Sequence, residues 1–345
     1  MKLTHTALLI ANAVLLSSAV AETAWDGPTT GPSAAADQSI VVVAADLKNG
    51  GILGVTEGVE EAAEAIGWTV RILDGAGSIQ GRTAAIGQAL ALQPDGLVIN
   101  GFDAVEQQAA LEGVAASNIP MVAWHSGPKI GCDAPGGIYA NISTDAMTVS
   151  EVAAEWAMDE GGNGMGAIIF TDSTYQIAID KADRIQKTIE DMGGTVLEYV
   201  DTPIADTSTR MGPLTISLLQ KYGDSWTHAL AINDLYFDFM GPALASAGIS
   251  AGDGPQAGSA GDGSEAAFQR IRTGNYQTIT VAEPLNLQGW QLVDELNRAI
   301  QGEPCSGYIT SPALVTQTGL EKMGDSNAFD PDSPYREAYS AIWAN

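Results

Sequence analysis

Amide, carboxylate and aromatic side chains follow most of the apolar segments of this 345-residue chain. Amides and carboxylates hydrogen-bond to neutral hydroxyls and rings offer apolar faces, so this combination is typical of sites for polyhydroxylated molecules. The candidates in the first half of the chain are Asp46, Lys48, Asn49, Phe102, Trp124 and His125. Those in the second half are Tyr175, Asn233, Tyr236 and Asp262. Residues at strand ends also serve as helix N-caps, an alternative that stays open for Ser173, Asp234 and Ser264.

Trp124 and His125 give the strongest local signal, because an apolar segment that ends in Trp-His places both side chains at a strand terminus. A purely structural role for this histidine is an equally good interpretation. Since histidine titrates at about pH 6.5, a ligand contact by His125 would make affinity depend on pH near neutrality. The other histidines are His5 and His228, so the sequence excludes a histidine-rich metal centre.

The remaining motifs argue against catalysis and against a cofactor. Residues 325–330 resemble a calcium loop, but Phe329 occupies its fifth position and Arg336 its twelfth, and neither is a ligand. The glycines of Gly258–Gly263 do not have the spacing of a dinucleotide-binding loop. Walker A and GxSxG motifs are absent from the sequence. An exported α/β hydrolase or isomerase is therefore the least favoured alternative, and we predict no metal and no cofactor.

Short apolar segments alternate with helical patterns from Ser39 onward, and the same rhythm starts again after Asn141. Uninterrupted apolar strands that alternate with helices indicate a parallel sheet covered on both faces. Two such sets in one chain predict an α/β protein with two doubly wound parallel-sheet lobes. Ligands of such sheets bind beyond the carboxyl ends of the strands, where the candidate residues lie.

The N-terminus predicts export. Lys2 precedes the apolar stretch Ala7–Val20, and Ala19-Val20-Ala21 has the small-x-small pattern of a cleavage site. The stretch is shorter than the ~20 apolar residues of a membrane-spanning helix. We therefore interpret residues 1–21 as a signal peptide and residues 22–38, rich in Ala, Gly, Pro, Ser and Thr, as a flexible linker. A buried N-terminal helix is the alternative. The mature protein is expected to be soluble in the periplasm.

The chain is strongly acidic, with 42 acidic and 15 basic residues and a net charge of −27. Such a charge repels phosphate backbones and anionic membranes, which excludes nucleic acid and lipid surfaces as partners. A solubilising or salt-adapted surface explains the charge equally well. The two cysteines, Cys132 and Cys305, form no CxxC motif, which excludes zinc ribbons and dithiol redox sites. In an oxidising compartment they pair in a disulfide or stay as two buried thiols.

Segment order and several short motifs resemble the periplasmic ribose-binding-like (type I) family of ABC-transporter solute-binding proteins. The resemblance covers about residues 39–308. In the first half its motifs are the opening strand, Asn-containing loop and helix at 40–67, the Asp-Gly strand at 94–100 and the Asn-Ile-Pro segment at 118–122. In the second half they are the Asn-Asp strand end at 231–234, Asp262-Gly263 and the segment Thr280–Pro284.

The resemblance implies a fold and a function. It implies a three-strand hinge near Asn141, Glu283 and Tyr308, with residues 39–141 and 284–308 in the first lobe and 142–283 and 309–345 in the second. Cys132 and Cys305 would then both lie in the first lobe near the hinge, which favours a disulfide. The implied protein is a monomer that captures a monosaccharide or polyol by hinge closure and delivers it to a membrane ABC permease. A sensory receptor of the same fold is the alternative. The ligand-contacting positions that the resemblance implies are Asn49, Asn233, Asp262 and Glu283.

The sequence also departs from the family at three places. Gly51 and Ile52 stand where the family often has aromatic rings, His125-Ser126 stands where it often has Asp-Arg, and Thr207-Ser208 falls at its second stacking position. Stacking on the ligand is therefore assigned to Phe102, Trp124, Tyr175 and Tyr236. Lys48 and Arg210 would match the carboxylate of a sugar acid, or are solvated surface charges. The choice among sugar, polyol and sugar acid stays open.

Overall fold

The computed structural model describes residues 24–127 and 129–345, with Asn163 described by its backbone alone. The predicted signal peptide lies outside the described residues. The first sheet and its helices are β1 Ser39–Ala44, α1 Gly50–Ala65, β2 Thr69–Asp74, α2 Ile79–Leu92, β3 Gly96–Asn100, α3 Gln108–Ala116, β4 Met121–Trp124, β5 Gly131–Ala134 and β6 Ile138–Ile142. Its strand order is β2-β1-β3-β4-β6-β5, parallel except for β5, which pairs antiparallel with β6.

A second sheet of six strands follows. Its elements are α4 Ala146–Gly161, β7 Gly166–Thr171, α5 Gln176–Asp191, β8 Thr195–Asp201, α6 Thr207–Tyr222, β9 His228–Ala231, α7 Leu235–Ser246, β10 Gln256–Ser259, α8 Glu265–Thr273 and β11 Ile279–Ala282. The chain then continues through α9 Leu285–Gln301, β12 Ala313–Thr316, α10 Gln317–Met323 and α11 Tyr335–Trp343. The strand order is β12-β11-β10-β9-β7-β8, with β12 antiparallel to β11. The prediction of two doubly wound lobes is confirmed.

The burial of the strands explains why they could be predicted from the sequence. Every residue of β3, β7 and β9 is buried, because helices cover both faces of these central strands. The edge strands β2 and β8 are half exposed and carry polar residues. Uninterrupted apolar segments therefore mark the sheet centres, and the candidate binding residues follow the central strands.

The chain crosses between the lobes at residues 143–145, at Glu283–Pro284 and along 302–312, close to the three predicted positions. It crosses a fourth time, along 324–334. Helix α11 then packs on α9 within the first-lobe core, with the rings of Trp290 and Trp343 stacked 5.4 Å apart. We expected residues 309–345 to belong to the second lobe. This holds for β12 and α10, which pack on elements of that lobe. Helix α11 belongs to the first lobe, because its aromatic face packs on α9.

The segment 24–38 is held against the first lobe and does not behave as the loose linker that its composition indicates. Arg298 donates to the carbonyl of Thr30 at 2.6 Å, and the Trp68 indole donates to the carbonyl of Ala35 at 2.7 Å. The ring of Trp25 lies 5.2 Å from that of Tyr308. The segment is ordered by side chains that reach its backbone from distant parts of the chain, and its own composition carries no sign of them.

Cys132, on the edge strand β5, forms a disulfide with Cys305 in the third crossing segment. Both cysteines lie in the first lobe, so of the two alternatives left by the sequence the disulfide is the one present. Within the part of the chain that the structure describes, no helix is long and apolar enough to cross a membrane.

Candidate ligand-binding cleft

A cavity lies between the lobes at the carboxyl ends of the central strands. The first lobe contributes the polar or aromatic side chains of Asp46, Asn49, Trp124 and His125 to its lining. The second lobe contributes those of Tyr175, Lys181, Asn233 and Asp262. Seven of these eight residues were candidates from the sequence, so the strand-end argument predicted most of the polar and aromatic lining of this cavity.

Two of the lining residues, Asn49 and Asn233, each use the side-chain oxygen in a hydrogen bond within the chain and keep the side-chain NH₂ group available. Asn49 caps α1, since its side-chain oxygen accepts from the backbone N–H groups of Gly51 and Ile52 at 2.9 and 3.1 Å. The side-chain oxygen of Asn233 accepts from the N–H of Leu235 at 3.2 Å. In both residues the carbonyl oxygen is used within the chain, so the amide N–H groups remain as donors at the cavity.

Asp262 occupies a loop that Asp234 holds in place. The Asp234 carboxylate accepts from the backbone N–H groups of Asp262, Gly263 and Ser264 at 2.8–3.1 Å. The N-cap interpretation is confirmed for Ser264, whose hydroxyl accepts from the N–H of Ala267 at 3.2 Å. Asp234 acts instead as an anchor for the loop. Because the Asp234 carboxylate is used in this way, the carboxylate that lines the cavity is that of Asp262 and not that of Asp234.

The Asp262 carboxyl is buried, with 6% of the residue exposed. Burial raises its pKa to about 7, against the lowering effect of Lys181, and the nearby charges of Glu283 and Asp234 add to the rise. Among the described residues, no side chain donates a hydrogen bond to it. Its two oxygens are therefore acceptors that face the cavity.

His125 and Trp124 form one unit. Their rings stack 3.7 Å apart at an interplanar angle of 7°, with the histidine backbone in the left-handed region at φ 51°. The Trp124 indole donates to the side-chain oxygen of Gln288 at 2.8 Å. The imidazole therefore covers one face of the indole, and the hydrogen bond to Gln288 holds the indole in place.

Glu283 lies behind this pair, fully buried, and does not line the cavity. The His125 Nε2 atom is 3.0 and 3.1 Å from its two carboxylate oxygens, and the Lys181 Nζ atom is 3.7 Å from one of them. Burial by itself would raise the pKa of Glu283, but His125, Lys181 and a hydrogen bond from Gln288 hold it well below its usual range. Burial lowers the pKa of His125 despite the opposing charge of Glu283. Because the Glu283 carboxylate accepts in this contact, the Nε2 atom of His125 is the donor.

The same carboxylate, together with Gln288, joins three of the four crossing segments. Glu283, in the second crossing, accepts from the N–H of Thr144 in the first crossing at 3.3 Å. Gln288 donates both to Glu283 and to the hydroxyl of Thr310 in the third crossing, each at 3.0 Å. The prediction placed Glu283 in contact with the ligand. The structure places it one layer deeper, where it links the hinge to the Trp124–His125 pair.

Lys181 was missed by the sequence interpretation. It lies on α5 with 4% of the residue exposed, and its ammonium donates to the carbonyl of Ala260 at 2.9 Å. A signal was present, because Ala178, Lys181 and Ile185 share the buried face of this helix at three- and four-residue spacing. A lysine on an apolar helix face is uncommon unless it has a buried partner, which here is Glu283.

Four other candidates lie away from the cavity. Phe102 is part of the first-lobe core, and Tyr236 is part of the second-lobe core, where its hydroxyl donates to the carbonyl of Thr202. Both are hydrophobic enough that packing took precedence over exposure at a strand end. Lys48 precedes Asn49, is exposed, and does not line the cavity. Arg210 is half exposed and its nearest carboxylate is Asp206, at 3.8 Å. Neither cation lines the cavity, so the two residues that the sequence offered for the carboxylate of a sugar acid lie outside it.

The glycines at the start of α1 let the lobes meet. A Cβ atom at Gly51 would lie 2.6 Å from the Cβ atom of Asp262, and one at Gly50 would lie 2.5 Å from the Cβ atom of Ser264. The first turn of this first-lobe helix thus packs directly on the 261–264 loop of the second lobe. At Gly51, where the resemblance led us to expect an aromatic ring, this chain has a contact that requires the absence of a side chain.

The chain was compared with families and solved structures. Residues 40–304 match the model of a family described as a periplasmic binding protein domain. A search of curated protein sequences gives no significant match.

Solved structures resemble this chain over most of its length. One is a solute-binding protein of an ABC transporter from Agrobacterium vitis with bound α-D-tagatopyranose, 15% identical, with a TM-score of 0.73 over 82% of this chain and 96% of the other. A second, from Mycobacterium smegmatis with bound glycerol, is 20% identical, with a TM-score of 0.70 over 85% and 99%. The arabinose-transporter binding protein of Shewanella sp. ANA-3 is 16% identical, with a TM-score of 0.69 over 89% and 97%. At these identities the likeness shows the fold.

Proposed function

The chain belongs to the family of periplasmic binding protein domains, and from this premise we propose that it captures a small polyhydroxylated molecule and delivers it to a membrane ABC permease. The proposed ligand class is a monosaccharide or polyol, and the proposed compartment is the periplasm. The family consists of ligand-binding transport proteins, so we propose binding without turnover.

The observation that carries the proposal is the mixture of donors and acceptors around the cavity. Asn49 and Asn233 present amide N–H groups, whereas Asp46 and Asp262 present carboxylate oxygens. A hydroxyl group donates and accepts at once, so a molecule with several hydroxyls can satisfy both kinds of partner in one small volume. The tagatose, glycerol and arabinose found in similar structures support the same class of ligand.

Closure of the lobes is the proposed mechanism. The donors and acceptors come from both lobes, so a ligand meets all of them together when the lobes are closed, and binding shifts the population to that state. The network of Glu283 and Gln288 lies between the cavity and the crossings. It is placed to keep the hinge strands in register while the lobes move.

A thermal-shift screen of the purified protein against sugars, polyols and sugar acids tests this proposal. A ligand that binds the folded state alone raises the melting temperature. At a ligand concentration of a hundred times its Kd, the free energy of unfolding increases by about 2.7 kcal/mol. Neutral or amine-bearing polyhydroxylated molecules are expected to raise it, and sugar acids are not. Chemical conversion of a bound sugar, or stabilisation by sugar acids instead, would contradict the proposal.

Asp262→Ala is expected to weaken ligand binding by about 1–3 kcal/mol, because ligand hydroxyls or amines buried against the missing carboxylate lose their acceptor. Calorimetric titration with the best ligand of the screen measures the change. Arg210→Ala is the matched control, since its exposed side chain lies outside the cavity. Equal affinities of the Asp262→Ala variant and the unmodified protein would remove Asp262 from the site.

Gly51→Ala tests the closure mechanism. The added methyl group would overlap the side chain of Asp262 when the lobes are closed, so we expect an affinity at least tenfold lower, about 1.4 kcal/mol. Small-angle scattering should show that the ligand no longer compacts the protein fully. Gly87→Ala is the control, because a Cβ atom at this helical glycine of α2 meets open space. Unchanged affinity and compaction in Gly51→Ala would show that the two lobes do not meet at this contact.

A further inference from the structure

The Asp262 carboxyl group is buried, belongs to a residue that lines the cavity, and receives no hydrogen bond from the described side chains. His125, Lys181 and Glu283 are its titratable neighbours, and one ligand-type atom each of His125, Asp262 and Glu283 lies within 4.8 Å of the others. An ionised carboxylate in such surroundings is costly unless a positive charge or several donors accompany it. The ligand is therefore the missing partner.

The charges around the cavity do not balance. Asp46, Asp262 and Glu283 are three carboxyl groups, whereas Lys181 is the one ammonium group that the described residues place among them. Lys181 is already engaged by Glu283 and by the carbonyl of Ala260. The Nε2 atom of His125 lies 3.0 and 3.1 Å from the two oxygens of Glu283, so His125 is likewise engaged by Glu283 and not by Asp262.

The rim of the cavity does not correct this imbalance. Arg82 is the nearest further cation, beside Tyr175, and it is paired with Glu106 at 2.7 Å. Neutral hydroxyls could donate to Asp46 and Asp262 but would bring no positive charge to the buried carboxyl group of Asp262. An ammonium group supplies donors and charge together.

We propose that the ligand is a polyhydroxylated amine, such as an amino sugar or an amino polyol, whose ammonium group binds at Asp262 while its hydroxyls meet Asn49, Asn233 and Asp46. This proposal rests on the proposed function and makes its ligand class narrower. The raised pKa of Asp262 agrees with it, since burial and the neighbouring carboxylates disfavour the ionised form until a cation arrives.

A metal ion is a poorer occupant for the same place. The Nε2 atom of His125 faces Glu283 and the Lys181 ammonium lies 3.7 Å from that carboxylate, so both groups that would flank a metal are already paired. Asp262 alone would remain as a free ligand, whereas stable cation sites use several oxygen or nitrogen ligands.

The net charge of −27 acts in the same direction at long range. A strongly negative protein raises the local concentration of cations and speeds their association, an effect that salt weakens. For a neutral sugar the charge would have no such consequence.

Calorimetric titration with matched pairs tests the proposal. The pairs are D-glucosamine with D-glucose, D-galactosamine with D-galactose, and 1-amino-1-deoxy-D-sorbitol with D-sorbitol. In at least one pair the amine is expected to bind tenfold or more tightly. The preference should disappear in Asp262→Asn and persist in Asp253→Asn, a substitution in an exposed turn outside the cavity.

The outcomes separate this proposal from the proposed function. Equal or tighter binding of the neutral members would contradict the proposal of an amine ligand and would remain consistent with the proposed binding of polyhydroxylated molecules. Binding of neither member of any pair would overturn both. Stabilisation by Ca²⁺, Mg²⁺ or Zn²⁺ in place of the amines, lost in Asp262→Asn, would overturn the amine in favour of a metal. A preference for amines that survives Asp262→Asn would also contradict the proposal.

Discussion

Glu283→Ala is expected to lower the free energy of unfolding by about 3 kcal/mol. Removing one partner of a buried ion pair costs about 3–5 kcal/mol, because the other charge stays buried without compensation. Here the uncompensated group is Lys181, and three hydrogen bonds from His125, Gln288 and Thr144 are lost as well. The lower end of the range applies because Asp262 lies close enough to Lys181 to compensate part of its charge.

Urea unfolding followed by tryptophan fluorescence measures this loss. The double variant Lys181→Met/Glu283→Gln is the matched control, because it removes both charges and keeps an acceptor for His125. It should recover to within about 1 kcal/mol of the unmodified protein, since a buried pair exchanged as a whole is close to neutral. If the single and double variants were equally unstable, the charge of Lys181 would not be the cause.

The contribution of Glu283 should also depend on pH with a definite sign. Its pKa in the folded protein is held below the usual value of 4.5, so the stabilisation is complete above that pH and is lost as the pH falls through the folded-state value. The difference in unfolding free energy between the unmodified protein and Glu283→Ala should therefore be smaller below about pH 4 than near pH 5. A difference that grows as the pH falls would contradict the assignment of an ionised Glu283.

Replacing both cysteines by alanine is expected to cost about 2–5 kcal/mol of stability. The disulfide joins residues 173 positions apart, and in the chain-entropy model a long closed loop restricts the unfolded chain strongly. The enclosed loop includes the central strands of the second lobe, although both cysteines lie in the first. The bond also fastens the start of the third crossing to the edge strand β5, so the hinge itself should become less ordered.

A lower urea midpoint of the double variant Cys132→Ala/Cys305→Ala is the expected measurement. Reducing agent should lower the midpoint of the unmodified protein to the same value and leave the double variant unchanged. An unaltered midpoint in both experiments would show that the unfolded state is already compact without the bond.

The strand-end positions were predictable because they follow from one rule. Parallel strands that are buried on both faces must be apolar, so the first polar residues after them are exposed at the edge where ligands bind. This rule found Asp46, Asn49, His125, Asn233 and Asp262. It failed for Phe102 and Tyr236, since large hydrophobic side chains near a strand end can turn into the core as readily as into the cleft.

The depth of each residue in the site was not predictable in the same way. Lys181 lies in the middle of a helix and reaches the cleft because α5 packs beside the Glu283 crossing. Glu283 lies behind the wall of the cavity, a depth that was not predictable because sequence position does not show that His125 lies between it and the cavity. The course of α11 was also missed, because an amphipathic helix shows that it packs but not against which lobe.

The sequence by itself therefore determined the two sheets and most of the polar residues that line the cavity. These follow from local periodicity and from polar residues at the ends of buried strands. The tertiary structure alone decided which charges are paired: Glu283 with Lys181 and His125, and Asp262 with no group of the described chain. The physical reason is that pairing depends on distances of a few ångströms between residues far apart in the chain, and it is this pairing that leaves the Asp262 carboxyl without a donor and motivates the proposed amine.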